Sequence, residues 1–434
     1  MLTLWSTVNM RCSIQRTLRC SCVARCLSSA SPAATSFAKG KLYAPTEEHL
    51  GLRELLQEWV PKNVEPQALE YNRKEQFNVA LFQELGALGL LGITVDPQYG
   101  GSGMDAVAAV IAHEELSSSD PAFCLSYLAH SMLFVNNLAQ NGNHEQKLKY
   151  LPKACTGEFI GGMCMSEPGA GTDVMGMSTS ATPNAAGTEY TLNGNKMWIT
   201  NGTIDGTDTG NVFLVYAKTG PGRGSGDLTS FLVEKGMPGF SLGQKITDKC
   251  GMRASHTAEL VFDNVKVPAS NIVGKVGSAT LCMMRNLEIE RITLAAMSLG
   301  IARRCIEVMG KYSQERKAFG KAIGDFGQTQ KAIAESYAEY MAGRAYVYSV
   351  AANLDLSSHG NGLDSDGVKL YCGPMAKNIA DRAIQVLGGN GYMGEYAIER
   401  LWRDSKLLEI GGGTNESHHK NMVRDLKRNN FAVK

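Results

Sequence analysis

A mostly helical protein with a β domain at its centre is predicted from three regimes of hydrophobic spacing. Apolar residues recur at the helical period from about Thr46 to Gly157, and short β-branched and aromatic runs replace them from about Phe159 to Val273. From about Ser278 onward the helical period returns. The expected divisions are a leader at 1–41, a helical domain at 42–158, a β domain at 159–273 and a helical bundle at 274–434. A chain of 434 residues with 44% hydrophobic and 20% charged side chains can fill the cores of two or three domains.

The leader holds six basic residues (Arg11, Arg16, Arg19, Arg25, Lys39, Lys41), many serines and small apolar residues, and no acid before Glu47. That composition predicts a mitochondrial transit peptide and residence in the matrix, the bland alternative being a disordered basic tail. Without these six charges the formal net charge falls from +1 to −5. An acidic body argues against a nucleic-acid or anionic-membrane partner, since phosphate binding needs a basic face. No apolar run approaching the ~20 residues of a bilayer span is read, so no membrane span is expected. Four of the 11 cysteines lie in the leader, and the seven beyond it are scattered with no C-x-x-C pair. The body reads as a reduced protein without a disulfide frame or a cysteine zinc site.

Leu52, Leu55, Leu56, Trp59 and Val60 outline the first helix, and Phe77, Leu81, Leu85 and Leu88 the next. Val107, Val110 and Ile111 lead into Glu114-Glu115, after the loop Pro97–Gly103. The strands follow as Tyr190-Thr-Leu, Val212–Tyr216, Ser230–Val233 and Leu260–Phe262, with Gly, Asn and Asp turns between them. The bundle helices are expected near 279–313, 328–354, 366–387 and 414–428.

Chemistry enters with the motifs. Met163-Cys164-Met165-Ser166-Glu-Pro-Gly-Ala-Gly171-Thr172-Asp combines glycines that admit a ligand close to the backbone with two hydroxyl donors. About 25 residues later stands Lys196-Met-Trp198-Ile199-Thr200-Asn-Gly, where Trp198 could be core and Asn-Gly a hairpin turn. Arg316-Lys-Ala-Phe319-Gly places a guanidinium before a turn, suited to a pyrophosphate or to capping a helix end. Two glycine clusters follow, Gln385-Val386-Leu387-Gly388-Gly389-Asn-Gly-Tyr and Glu409-Ile-Gly-Gly412-Gly413-Thr414-Asn415-Glu416. His113-Glu114-Glu115 lacks the second histidine of a zinc motif, and His418-His419 are adjacent and cannot converge on one ion, so no metal site is expected. Cys164 reads as a small buried side chain rather than a redox thiol.

In this order the motifs resemble the acyl-CoA dehydrogenase family over nearly the whole chain after the leader. The resemblance implies a helical domain, a β domain and a four-helix bundle, assembled as a homotetramer with FAD between β domain and bundle. It implies that Met163, Cys164, Met165, Ser166, Gly171, Thr172, Trp198, Ile199 and Thr200 contact the flavin. Arg316, Phe319 and 385–389 (Gln385, Val386, Leu387, Gly388, Gly389) would bind the ADP half, with Arg316 and 385–389 supplied by a neighbouring subunit. Thr414, Asn415 and Glu416 would complete the FAD site. The glutamine that usually follows Phe326 is displaced, Gly327 standing there. Either Gln328 takes over or that contact is missing. The implied reaction is α,β-dehydrogenation of an acyl-CoA thioester, a base taking the α-proton while the β-hydride passes to flavin N5, with electron-transfer flavoprotein as acceptor.

Most of the family carries the base immediately before the final Gly-Thr, where this chain has Gly412. Leu287-Glu-Ile-Glu-Arg-Ile-Thr-Leu294 offers two substitutes, and residues two apart point roughly 200° from one another on a helix, so one alone can face the flavin. Glu288, with Arg285 and Arg291 three residues either side, reads as a solvated, ion-paired carboxylate. Glu290 has Asn286, Leu287, Thr293 and Leu294 as its neighbours and reads as a desolvated base of raised pKa. A branch of the family that includes enzymes for isovaleryl-CoA moves its base to this helix, and Val233–Phe240 resembles that branch. A long-chain branch makes the same relocation. Thr172, Leu281, Leu287, Arg291, Gly412 and Gly413 are the expected substrate contacts, although Leu281 replaces a tyrosine of the isovaleryl branch. Other acyl chain lengths, an acyl-CoA oxidase and a non-enzymatic helical scaffold remain as alternatives.

Overall fold

The computed structural model describes residues 42–358, 360 and 362–432, so the leader lies outside the described residues. The predicted succession of helices, sheet and helices is the fold that forms. Thr46 caps the first helix, α1 (Glu47–Asn63), by accepting from the His49 amide, and Leu56 and Val60 turn inward one turn apart. Two shorter helices follow, α2 (Glu65–Lys74) and α3 (Val79–Ala87). The fourth, α4 (Ala106–Ser117), is buried on every side between α1 and the long bundle helix α7 (Ala279–Glu315). Close approach of α4 and α7 depends on Gly300. A Cβ there would lie 2.1 Å from Ser117 Oγ and 2.3 Å from the Glu114 carbonyl oxygen.

The helix α5 runs from Pro121 to Asn141 with a π-helical stretch at Ala129–Asn136. By length and composition it could cross a membrane, which corrects the expectation that no such run exists; the segment has no Asp, Glu, Lys or Arg, and its Ser, His and Asn residues mask it from a purely apolar scan. It is buried along nearly its whole length inside the fold. Helix α6 (His144–Thr156) opens with a full capping box between Asn143 and Gln146.

The β domain is an eight-stranded sheet, β1 (Gly161–Cys164), β2 (Ser180–Pro183), β3 (Glu189–Thr200), β4 (Val212–Lys218), β5 (Leu228–Glu234), β6 (Phe240–Ile246), β7 (Thr257–Pro268) and β8 (Ile272–Val273). Its order is β6-β7-β3-β2-β4-β5-β8, with β1 added parallel to β4. Strands β3 and β7 are antiparallel and slip register between Lys196 and Ile199. That bulge puts Trp198 at φ +60 and turns its ring out of the sheet, 56% exposed. Asn201-Gly202 is not a hairpin turn: Asn201 is buried and its amide donates to the Ser126 and Gly161 carbonyls at 2.9 and 3.2 Å.

The bundle packs α7 against α8 (Gly327–Ala352) and α9 (Gly362–Leu387). A short helix that the periodicity does not reveal, α10 (Ile398–Ser405), separates the two glycine clusters, and α11 (Asn415–Arg428) begins at a Thr414 cap. A buried ionic cluster ties the first domain to the bundle. Glu115 accepts from Arg53 at 2.6 Å and from Arg303 at 2.7 Å, while Glu114 pairs with Arg53 at 3.2 Å and Arg344 at 3.0 Å. Losing one partner would strand a buried charge, so the two domains are held in one arrangement.

Candidate active site

Met163 and Cys164 lie at the end of β1, and the glycine-rich loop leaves the sheet from there. Strand β3 grips that loop from below. The Met197 amide donates to the Ser166 carbonyl at 2.9 Å, and the buried Lys196 ammonium donates to the Met165 carbonyl and to Glu167 Oε1, each at 3.0 Å. Glu167 also accepts from the Ser178 amide and hydroxyl and from the Thr179 amide. Burial works against its ionisation, yet Lys196 and these donors hold the carboxyl down at about 2. The loop is thus a fixed shelf, with Gly171 and Thr172 exposed on it and Trp198 and Thr200 beside it. Cys164 is fully buried, and burial pushes its thiol well up, as expected of a packing residue.

Opposite the shelf stands the start of α7, where Leu287 packs in one apolar cluster with Met165, Ala170 and Met283. Glu290 follows one turn on, 5% exposed, and its Oε2 makes no hydrogen bond among the described residues. Burial pushes its carboxyl up to about 7, against the pull of Arg291 and Lys369. Gly412, in left-handed conformation at φ +67, faces it: a Cβ on Gly412 would come 3.4 Å from Glu290 Oε1 and 2.3 Å from Leu294 Cδ1. The position where the resemblance places the base, occupied here by Gly412, therefore meets Glu290.

Glu288 corrects the sequence reading. It is as buried as Glu290 and accepts from the Gly360 amide at 3.0 Å, so it is no solvated carboxylate. The reason is Gly360, ahead of α9, which lies against the face of α7 that the charge pattern assigns to solvent. Arg291 is bound to Asp366 at 3.1 Å, and Arg285 donates to Asn141. Leu281 is exposed near the start of α7.

The predicted cofactor residues fall into two groups. Shelf, Glu290, Gly412, Gly413 and the Thr414–Glu416 turn gather at one end of α7. Arg316, Phe319, Gln328 and Gln385–Gly389 gather at the other, where Tyr312 of α7 bonds Asn390 at 2.9 Å. Arg316 makes no ion pair among the described residues, Phe319 is 96% exposed, and a Cβ on Gly388 or Gly389 would meet no atom within 4 Å. Such a free guanidinium, an open backbone, and at the first end an outward indole and a buried Asn415 Oδ1 without a partner, fit a flavin dinucleotide. Among the described residues no group of acids, histidines and cysteines is placed to hold a metal.

Three residues behind Glu290 were missed in the sequence: Lys369, Asp366 and His418. His418, set aside as a poor metal ligand, is buried and bonded to Asp366 and to the Gly413 carbonyl. The available signal was Lys369 itself, a lysine with Cys372 and Gly373 one turn on, on the inward stripe of a helix.

Family models of the N-terminal, middle and C-terminal domains of acyl-CoA dehydrogenases match residues 46–158, 162–265 and 280–427. A mitochondrial isovaleryl-CoA dehydrogenase of Solanum tuberosum is 42% identical over 91% of this chain and 94% of its own. A mitochondrial 2-methylacyl-CoA dehydrogenase from the same plant is 40% identical over 86% of this chain and 89% of its own. Among solved structures, butyryl-CoA dehydrogenase from Megasphaera elsdenii superposes with a TM-score of 0.82 at 32% identity, covering 92% of this chain and 100% of that one.

Proposed function

The chain belongs to the acyl-CoA dehydrogenase family of flavin-dependent oxidoreductases, and from that premise we propose that it dehydrogenates a short branched-chain acyl-CoA, isovaleryl-CoA first, with Glu290 as the base and FAD as the acceptor of the β-hydride. One observation carries the assignment of the base: Glu290 is buried with a free oxygen against an empty Gly412. FAD, held by the shelf residues and the Arg316 end, would supply the electrophile for the hydride and would stay on the protein in reduced form. The chain's share is to hold the acyl group between the shelf and α7 and to keep a proton acceptor at its α-carbon. Burial that lifts Glu290 to about 7 matches that acceptor to neutral pH, so flavin reduction should rise with pH through about 7 as the carboxylate forms. Both plant relatives are named for branched or 2-methyl acyl-CoA, which supports the substrate class.

Glu290 and Arg316 lie on one helix 26 residues apart, roughly 39 Å at 1.5 Å per residue. One dinucleotide cannot span both, which supports a homotetramer in which a second copy supplies the Arg316 end. Electron-transfer flavoprotein is the proposed oxidant of the reduced flavin.

Stopped-flow reduction of the purified flavoprotein tests the base. Glu290→Gln should slow flavin reduction by at least ~10²-fold with substrate binding retained, because the amide cannot accept the proton. Glu288→Gln, which keeps its acceptor for Gly360, should stay within a few-fold. The opposite pattern would assign the base to Glu288. A panel of straight and branched acyl-CoAs then ranks substrates, and steady peroxide formation without an added acceptor would identify an oxidase instead. The matrix location is tested by fusing 1–42 to a reporter, which should become mitochondrial; a cytosolic reporter would refute it.

A further inference from the structure

Behind Glu290, five groups are joined by four bonds in a row. Lys369 on α9 donates to the Gly413 carbonyl at 2.6 Å, and His418 Nε2 on α11 donates to the same oxygen at 3.0 Å. His418 Nδ1 bonds Asp366, one turn before Lys369, and Asp366 pairs with Arg291 at 3.1 Å, the residue next to Glu290. Lys369, Asp366 and His418 are buried, so none of these bonds is traded with water. The shared oxygen belongs to Gly413 at φ +100, directly after Gly412 at φ +67. Two successive left-handed residues make a backbone that relaxes readily unless something holds it.

We propose that Lys369 is a positioning residue for the base: by holding the Gly413 carbonyl it fixes the Gly412 turn that leaves room for the Glu290 carboxyl, and its ammonium adds to Arg291 in favouring the carboxylate form. The inference rests on Glu290 being the base and goes beyond it, since nothing in the reaction requires a lysine at this place.

The groups facing Glu290 are few. Arg291 comes from α7 itself, Lys369 and Asp366 from α9, His418 from α11 and the Tyr216 phenol from β4, and Glu409 lies toward Lys369. Arg291, paired with Asp366 at 3.1 Å, and Lys369 both favour the carboxylate form, so the Lys369 charge adds to that of Arg291. Burial lowers the Lys369 ammonium to about 8 while the Glu290 charge raises it.

The test is the pH profile of flavin reduction in the holoenzyme at saturating acyl-CoA, with three substitutions that divide charge from hydrogen bond. Lys369→Arg keeps both and should leave the acid limb where the parent has it. Lys369→Gln can still donate to the Gly413 carbonyl but has no charge. Its acid limb should move up by about 1 pH unit or more, the effect of losing a cation at close range, while the plateau at high pH approaches the parent's. Lys369→Met loses both, so its limb should move up and its plateau should also fall. Should the Met variant not fold, the Gln and Arg variants decide alone. An acid limb unmoved in Lys369→Gln, or one that moves equally in Lys369→Arg, overturns the proposal. Loss of reduction in Glu290→Gln beside an unmoved Lys369→Gln refutes the lysine and spares the base. Intact reduction in Glu290→Gln removes the base and the lysine's role together.

Discussion

In the proposed mechanism Gly412 decides which carboxylate this chain can use. Its open Cα is what leaves the Glu290 carboxyl unbonded at the centre of the site, and any side chain there would press on Leu294 first and on Glu290 next. Moving the base back is therefore an instructive exchange. Glu290→Gly with Gly412→Glu should recover flavin reduction over Glu290→Gly alone, since the two positions converge on one substrate atom. The recovery should be partial, because a glutamate at φ +67 carries strain of roughly 1–3 kcal/mol and its Cβ meets Leu294 Cδ1. Adding Leu294→Ala removes that clash and should raise the recovered rate further, read by single-turnover reduction. If the double variant and Glu290→Gly are equally dead with Leu294 shortened, the two positions do not serve the same atom.

The elements show what a sequence can and cannot carry. The first helices were legible because Leu56 and Val60, or Leu81 and Leu85, repeat their burial at the helical period. The motifs at 163–173, 196–202 and 409–416 marked segments that the fold brings to one end of α7. Helix α10 was not legible, since eight residues with Arg400, Arg403 and Asp404 among them give too short a stripe. Trp198 could be read as core because its outward turn depends on a bulge set by pairing with β7, which local pattern does not contain. Glu288 was misjudged for the same reason: flanking arginines suggest water, but Arg291 is claimed by Asp366 from α9, and Gly360 covers the carboxylate. Lys369 stayed invisible because its role is defined by a carbonyl 44 residues away. In each case a tertiary partner, not a propensity, decided the outcome.

At the scale of the whole molecule, the long helix that separates Glu290 from Arg316 is the ground for proposing that cofactor binding is a property of the assembly. Arg316→Ala should lower FAD content without unfolding the chain, since alanine cannot replace charge-assisted bonds to a pyrophosphate; full flavin occupancy after dialysis would refute that role. Glu290→Gln should keep its flavin and lose proton abstraction. If each site takes its base from one copy and its guanidinium from another, the two defective chains should repair one another when co-expressed. A mixed pair then contains one site with both Glu290 and Arg316 intact and one with neither. Random pairing across a two-fold interface would leave roughly a quarter of the sites whole, far above either variant alone. Measured as flavin reduced per chain by substrate in the co-purified mixture, that recovery would require a shared site. Activity no greater than the mean of the two separate variants would mean that each chain binds its own cofactor, and Arg316 would then have to reach it by a route this fold does not offer.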